Sequence, residues 1–274
     1  MVFDNVPDGY NIVWYDDFTS SELDNKKWCQ FTGMSGTANG DHSVTAGEHN
    51  LSIKNDELVM SAKREADGTY TSNQSLSTKD RMAFKYGILE MRAKVPYGKP
   101  AWPSLWTRSY GPLQKARYMT ELDIFEVFAK DDEAASTIHK WYPPECNCHV
   151  QKNCGAYRFA SKEDAVKYHI YAMNWTPEKI EFSVDGNIYY VCDITEAGEF
   201  ENTAGTGQNG GMLGMHDYAY LLLNCYIFTK GSSWKPSENS VADGNDEFPI
   251  EYRIDWIRLS QKEGEGGIAL FPYN

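Results

Sequence analysis

Long apolar runs are missing: no stretch of the 274 residues approaches the roughly 18 consecutive apolar residues of a membrane-spanning helix, so no membrane partner is expected. Basic residues are scarce, 26 Lys and Arg against 39 Asp and Glu for a net charge of −13. Phosphate recognition rests on basic patches, so a nucleic-acid partner is not expected, and neutral or weakly charged ligands suit the chain better than polyanions. Helical periodicity is nearly absent. No repeat, low-complexity segment or composition break marks a linker, and one domain over residues 1–274 is expected. Met1 leads straight into polar sequence without a signal-peptide core.

Cysteine is sparse too. Six residues are too few for a disulfide scaffold in so long a chain. Cys146, Cys148 and Cys154 cluster, with His149 beside them. Their Cys-x-Cys spacing lacks the Cys-x-x-Cys turn of common zinc sites and no second half follows, so free thiols or one disulfide pinning a loop are expected in place of zinc. Cys29, Cys192 and Cys225 stand among apolar or aromatic residues and are expected in the core.

What the chain does have is aromatics, 14% of residues with 18 Tyr and 8 Trp, more than a core of this size needs and suited to stacking on sugar rings. Strand-like runs recur with Gly and Asp turns between them: 10–15, 50–53, 57–63, 86–95, 104–109, 168–175, 180–184, 218–228 and 251–259. Asp185-Gly186 reads as a hairpin turn, and Ser161 to Asp164 as one short helical turn. Such a pattern indicates an all-β sandwich or barrel.

The most informative run is Thr120 to Phe128, TELDIFEVF. Its branched and aromatic residues favour a buried strand. Acids at this spacing recur by chance in an acid-rich chain. These three, however, interrupt an apolar strand, where an unpaired charge costs several kcal/mol. With a period of two, Glu121 and Asp123 share a face, while Glu126 joins them only if a β-bulge absorbs one residue between Asp123 and Glu126. Adjacent carboxylates in a partly dry cleft are driven to different pKa values, the condition for separate acid and nucleophile roles.

Several ordered motifs covering nearly the whole chain resemble glycoside hydrolase family 16, the laminarinase, lichenase, agarase and carrageenase group. They are YNIVWYDDFTSSELDNKKW, KYGILEMRAKVPYGKPAWPSLW, TELDIFE, YHIYAMNWTPEKIEFSVDGNIYY and FPIEYRIDWIRL. The resemblance implies a β-jelly-roll sandwich of two antiparallel sheets with a concave sugar-binding cleft. It implies Glu121 as nucleophile, Glu126 as general acid/base and Asp123 as the residue that tunes Glu121 and shares its proton. Two carboxyls about 5–5.5 Å apart would act with retention through a covalent glycosyl-enzyme.

The same resemblance places Trp102 and Trp106 in the cleft-strand motif, at least one of them stacking on sugar, and His139 near the carboxylates. Trp141 becomes a candidate for the cleft wall, and Arg108 for a hydroxyl or an acidic sugar substituent. Trp175 matches a family tryptophan, although Asn174 stands where a Glu usually precedes it. Asp255 matches a position that in family members often ties down a structural calcium, with Asp17 in the opening motif, although calcium needs roughly six to eight oxygens. No cofactor is required for the chemistry. The expected activity is endo-hydrolysis of a polysaccharide by a secreted monomer in its mature form. The WPSLW motif points to β-1,3-glucan. Thr120 before the nucleophile, RYM upstream and KGSSW in place of a Gly-Gly-x-Trp loop leave galactan or mucin-glycan hydrolysis as the alternative, with transglycosylation or glucan binding without cleavage behind it. The sequons at Asn50, Asn73 and Asn174 do not decide the source.

Overall fold

The computed structural model describes residues 5–30, 44–46, 50–72, 75–113, 119–129, 132–141, 149–195 and 215–272. Nineteen strands among them form two sheets. One sheet runs β16 (Asn187–Asp193), β15 (Lys179–Val184), β14 (Tyr168–Trp175), β9 (Gly87–Lys94), β18 (Ile250–Lys262), β5 (Leu58–Arg64), β6 (Tyr70–Ser72) and β3 (Val44–Ala46). In it β1 (Tyr10–Asp16) also pairs with β18, and β4 (Leu51–Ile53) with β5. The other runs β13 (His149–Arg158), β12 (Glu133–Trp141), β11 (Met119–Glu126), β10 (Ala101–Ser109), β17 (Ala219–Ile227), β7 (Leu76–Ser77) and β2 (Cys29–Gln30). Here β8 (Met82–Lys85) pairs with β17, and β19 (Gly267–Leu270) with β8. Among these pairings only β3 with β6 is parallel, and the architecture is the expected jelly-roll sandwich of two antiparallel sheets. No helix among the described residues is long and apolar enough to cross a membrane.

Alternation in the sequence explains which face each strand buries. In β14, His169, Tyr171, Met173 and Trp175 point inward while the residues between them stay partly exposed, the period-two pattern of a sheet with one dry face. One continuous apolar cluster fills the space between the sheets. Strand β17 is buried at every position: Leu221, Leu223, Cys225 and Ile227 face that cluster, while Tyr220 and Leu222 join a second one against Trp106. At Asp185-Gly186 both residues have positive φ, 50° and 76°, as a two-residue type I′ hairpin requires. Ser161 caps the short α1 (Lys162–Ala165), accepting the Asp164 N–H at 3.2 Å.

Gly87 opens β9 at φ +115°, where a Cβ would lie 2.6 Å from the Ser260 carbonyl oxygen; only glycine fits there. Asn50 is fully buried, donating through Nδ2 to the Ser61 carbonyl at 3.0 Å and to Thr71 Oγ1 at 3.1 Å. Cys192 and Cys225 are core thiols, whereas Cys29 sits half-exposed on an edge strand, donating to the Lys79 carbonyl.

Candidate active site

Strand β11 carries the bulge. Against β10, Leu105 pairs with Phe125 and Trp106 with Asp123; against β12, Asp123 pairs with Thr137 and Glu126 with Ala135. Both ladders therefore absorb one extra residue between Asp123 and Glu126. Ile124 and Phe125, adjacent in sequence, both enter the core cluster together with Leu122 and Val127, and the side-chain phase flips so that Glu121, Asp123 and Glu126 share the opposite face. Across the ladders Glu121 stands between Arg108 and His139, Asp123 between Trp106 and Thr137, and Glu126 between Ser104 and Ala135.

Each carboxylate has its own partner. Trp141 Nε1–H donates to Glu121 Oε2 at 3.2 Å, His139 Nε2 lies 3.1 Å from Asp123 Oδ2, and Trp102 Nε1–H donates to Glu126 Oε1 at 2.9 Å. Burial raises all three pKa values, but unequally. Glu121 is pushed up by desolvation and held back by the His139 and Arg108 charges and the Trp141 hydrogen bond. Asp123 is driven well above the usual range by desolvation and by the negative charge of Glu121. Glu126 is also driven well up, by desolvation and then by Asp123, with the Trp102 hydrogen bond opposing. Glu121 has the surroundings that best keep a carboxylate charged, and Glu126 those that keep one protonated.

The further residues singled out from the sequence do not all gather here. Trp102 is half-buried, stacked on Phe228 at 5.6 Å and 8° and flanked by Trp234 at 5.5 Å, so the site keeps an aromatic platform beside Glu126. Trp106 is only 6% exposed, its Nε1–H donating to Asn224 Oδ1 at 2.7 Å, and packs with Tyr110 and Tyr220; its ring lies in the packed floor. Arg108 faces Glu121 and donates through Nε to Met119 Sδ. His139 and Trp141 lie on β12 in direct contact with the carboxylates. Trp175 is away in the core, donating to the Met215 carbonyl and packing on Phe84 and Tyr86.

Asp255 sits on the other sheet, bonded to the Arg92 guanidinium at 2.5 Å. That cation engages the oxygen a calcium would need, and among the described residues no group of three His, Cys or carboxylate ligands forms around Asp255. The expected calcium does not fit these residues. Glu121, Asp123 and His139 offer atoms within 4.8 Å of one another, but each already hydrogen-bonds a neighbour in the site.

Two residues escaped sequence reasoning. Asn224 accepts from both Ser104 Oγ (2.8 Å) and Trp106 Nε1 while donating to the Trp102 carbonyl at 3.1 Å. A lone amide inside the apolar run LLLNCYIF was the available signal. His149, considered only beside the cysteine cluster, instead meets His139 at 2.7 Å and stacks on Trp141 at 3.9 Å. Cys154 is buried on the core side of β13 while His149 is exposed, so the two cannot share a zinc ion. Cys146, Cys148 and Asn73 lie outside the described residues.

Three comparisons bear on this geometry. The profile of "Glycosyl hydrolases family 16" matches residues 38–206. The glucan endo-1,3-beta-glucosidase A1 of Niallia circulans is 25% identical over 93% of the chain, although the chain spans only 38% of that protein. The keratan-sulfate endo-1,4-beta-galactosidase of Sphingobacterium multivorum is 24% identical over 96% of the chain and 59% of its own length. Among solved structures, SCLam, a non-specific endo-beta-1,3(4)-glucanase, superposes with a TM-score of 0.71 at 25% identity, covering 94% of each chain.

Proposed function

This chain belongs to glycosyl hydrolase family 16, and on that premise we propose that it is an endo-acting β-1,3-glucanase in which Glu121 is the nucleophile and Glu126 the general acid/base. Members of the family act with retention. The bulged strand β11 carries the reading, because it puts three carboxyl groups on one face in surroundings that keep one charged and another neutral. Glu126 gives its proton to the glycosidic oxygen as Glu121 attacks the anomeric carbon, forming a covalent glycosyl-enzyme. Water then gives its proton to Glu126 and its oxygen to the sugar, releasing Glu121. Asp123, held by His139, shares a proton with Glu121 and tempers its charge. Trp102 offers the stacking platform on the leaving-group side, next to the acid. The chemistry calls for two carboxyl groups and water.

The glucan endo-1,3-beta-glucosidase relative, SCLam and the WPSLW motif support β-1,3-glucan as the substrate. A second reading, a galactan or mucin-type glycan, is favoured by Arg108 beside Glu121, a cation that could meet an acidic sugar, and by the likeness to the keratan-sulfate enzyme. A polymeric substrate supports secretion as part of this reading. The test is digestion of laminarin by the wild type and by Glu121→Gln, with the released oligosaccharides resolved. A ladder lost in the variant supports both substrate and nucleophile. No ladder from folded wild type, with products from keratan sulfate or agarose, would replace the first reading with the second. Longer chains at high substrate concentration would instead show transglycosylation.

A further inference from the structure

We propose that His149, on β13, is a positioning residue that fixes the tautomer of His139 and clamps Trp141, so that one side chain governs the holders of both Glu121 and Asp123. The inference rests on the assignment of Glu121 and Asp123 as the reacting pair. Three nearly parallel rings carry it. His139 and His149 lie 17° apart with centroids at 4.9 Å and Nδ1 to Nε2 at 2.7 Å. Those values describe two imidazoles edge to edge in one plane, a lone pair of one meeting the N–H of the other. His149 and Trp141 are instead face to face, centroids 3.9 Å apart and planes 12° apart. Trp141 in turn donates to Glu121, and His139 reaches Asp123 through Nε2. The five side chains form a chain from one carboxylate to the other: Glu121, Trp141, His149, His139, Asp123.

Proton counting gives the consequence. Burial lowers the pKa values of both histidines and so favours their neutral forms, in which each carries one N–H; the charge of His139 acts on Glu121 only when His139 is protonated. The 2.7 Å contact holds one proton between its two nitrogens. If His149 donates it from Nε2, His139 must keep its proton on Nε2 and give it to Asp123 Oδ2, leaving the other oxygen of Asp123 free to share a proton with Glu121. If His139 carried its proton on Nδ1, its bare Nε2 would face the Asp123 carboxyl and compete for the proton that Asp123 shares. An outer partner that selects a histidine tautomer is a recurrent device in working sites. The structure places that role on an exposed residue of the neighbouring strand.

The test uses the full chain with His149→Phe, which keeps a flat ring on Trp141 and loses the N–H, and His149→Gln, which restores a donor without the ring. Imidazole nitrogen shifts of ¹⁵N-histidine protein, with His139→Asn to assign the signal, report the tautomer, and kcat and KM are measured on the β-glycan the wild type cleaves. The expected result is a single Nε2–H tautomer of His139 in the wild type and a mixture in His149→Phe. In that variant kcat should fall about tenfold with KM nearly unchanged, the scale on which an outer partner is felt, and His149→Gln should recover the tautomer and part of the rate, the remainder reflecting the lost ring on Trp141. An unchanged tautomer in folded His149→Phe overturns the proposal, as does full activity in His149→Phe with loss in His149→Gln, which would leave only ring packing on Trp141. Should the wild type cleave no β-glycan, the functional reading fails, while the nitrogen shifts still decide the role of His149.

Discussion

Replacing Trp102 by Phe tests how the acid is tuned. The indole donates Nε1–H to Glu126 Oε1 at 2.9 Å, and this bond favours the ionised carboxylate against a burial that favours the neutral acid. Phenylalanine keeps an aromatic ring against Phe228 and Trp234 and removes the donor at the cost of some ring area. A hydrogen bond to a charged group contributes about 1.5–3 kcal/mol, and one pKa unit corresponds to about 1.4 kcal/mol. Allowing for partial replacement by water, the pKa of Glu126 should rise by about one unit. A general acid works only while protonated, so the alkaline limb of the bell-shaped kcat/KM profile should move up by about that amount. The assay is initial-rate hydrolysis of laminarin across pH, with the acid limb as internal control because it reports the nucleophile. An alkaline limb that stays in place, or moves down, would refute the assignment of Glu126 as the acid or of Trp102 as its tuner.

Three further outcomes follow from the same contacts. Glu126→Gln should cost about a thousandfold in kcat yet stabilise the fold. A carboxyl whose folded pKa lies above its unfolded value contributes stability below the unfolded range that is lost as pH rises through the folded value, so the gain should be visible in thermal unfolding at pH 8 and vanish near pH 4; a destabilised variant at pH 8 would contradict the burial argument. Asn224→Leu should cost about 2–4 kcal/mol by orphaning the Trp106 N–H and the Ser104 hydroxyl, measured by denaturant unfolding, and a loss near zero would mean that water replaces the amide. Gly87→Ala should cost about 2–4 kcal/mol through its backbone and the Ser260 clash, without changing kcat/KM of the folded fraction.

The site was legible where chemistry and periodicity coincide. The parity break between Asp123 and Glu126 demanded a bulge, and the ladders place it there. Strands such as β14 showed their inward faces directly through alternation. Strands β12 and β13 went unread: EAASTIHKW and HVQKNCGAYR hold small and polar residues where propensity expects branched ones, and pairing with β11 supplies what local preference lacks. Asn224 meets Trp106 118 residues away in sequence, whereas His149 meets His139 only 10 residues away; the first is beyond any local pattern, and the second depends on how two strands align. The calcium suggested at Asp255 finds no support among the described side chains, because Arg92, remote in sequence, pairs with that carboxylate across the sheet.

The burial of Asn50 has a practical consequence for making the protein. Asn50-Leu51-Ser52 is an acceptor sequence for N-linked glycans, yet in the folded chain the amide nitrogen that would carry the sugar is spent on Ser61 and Thr71. A host that attaches glycans as the chain emerges would modify Asn50 before the ladder closes, and a modified Asn50 has no place inside it. Yield from such a host should therefore depend on the race between folding and glycosylation, a race that a bacterial host without the modification never runs.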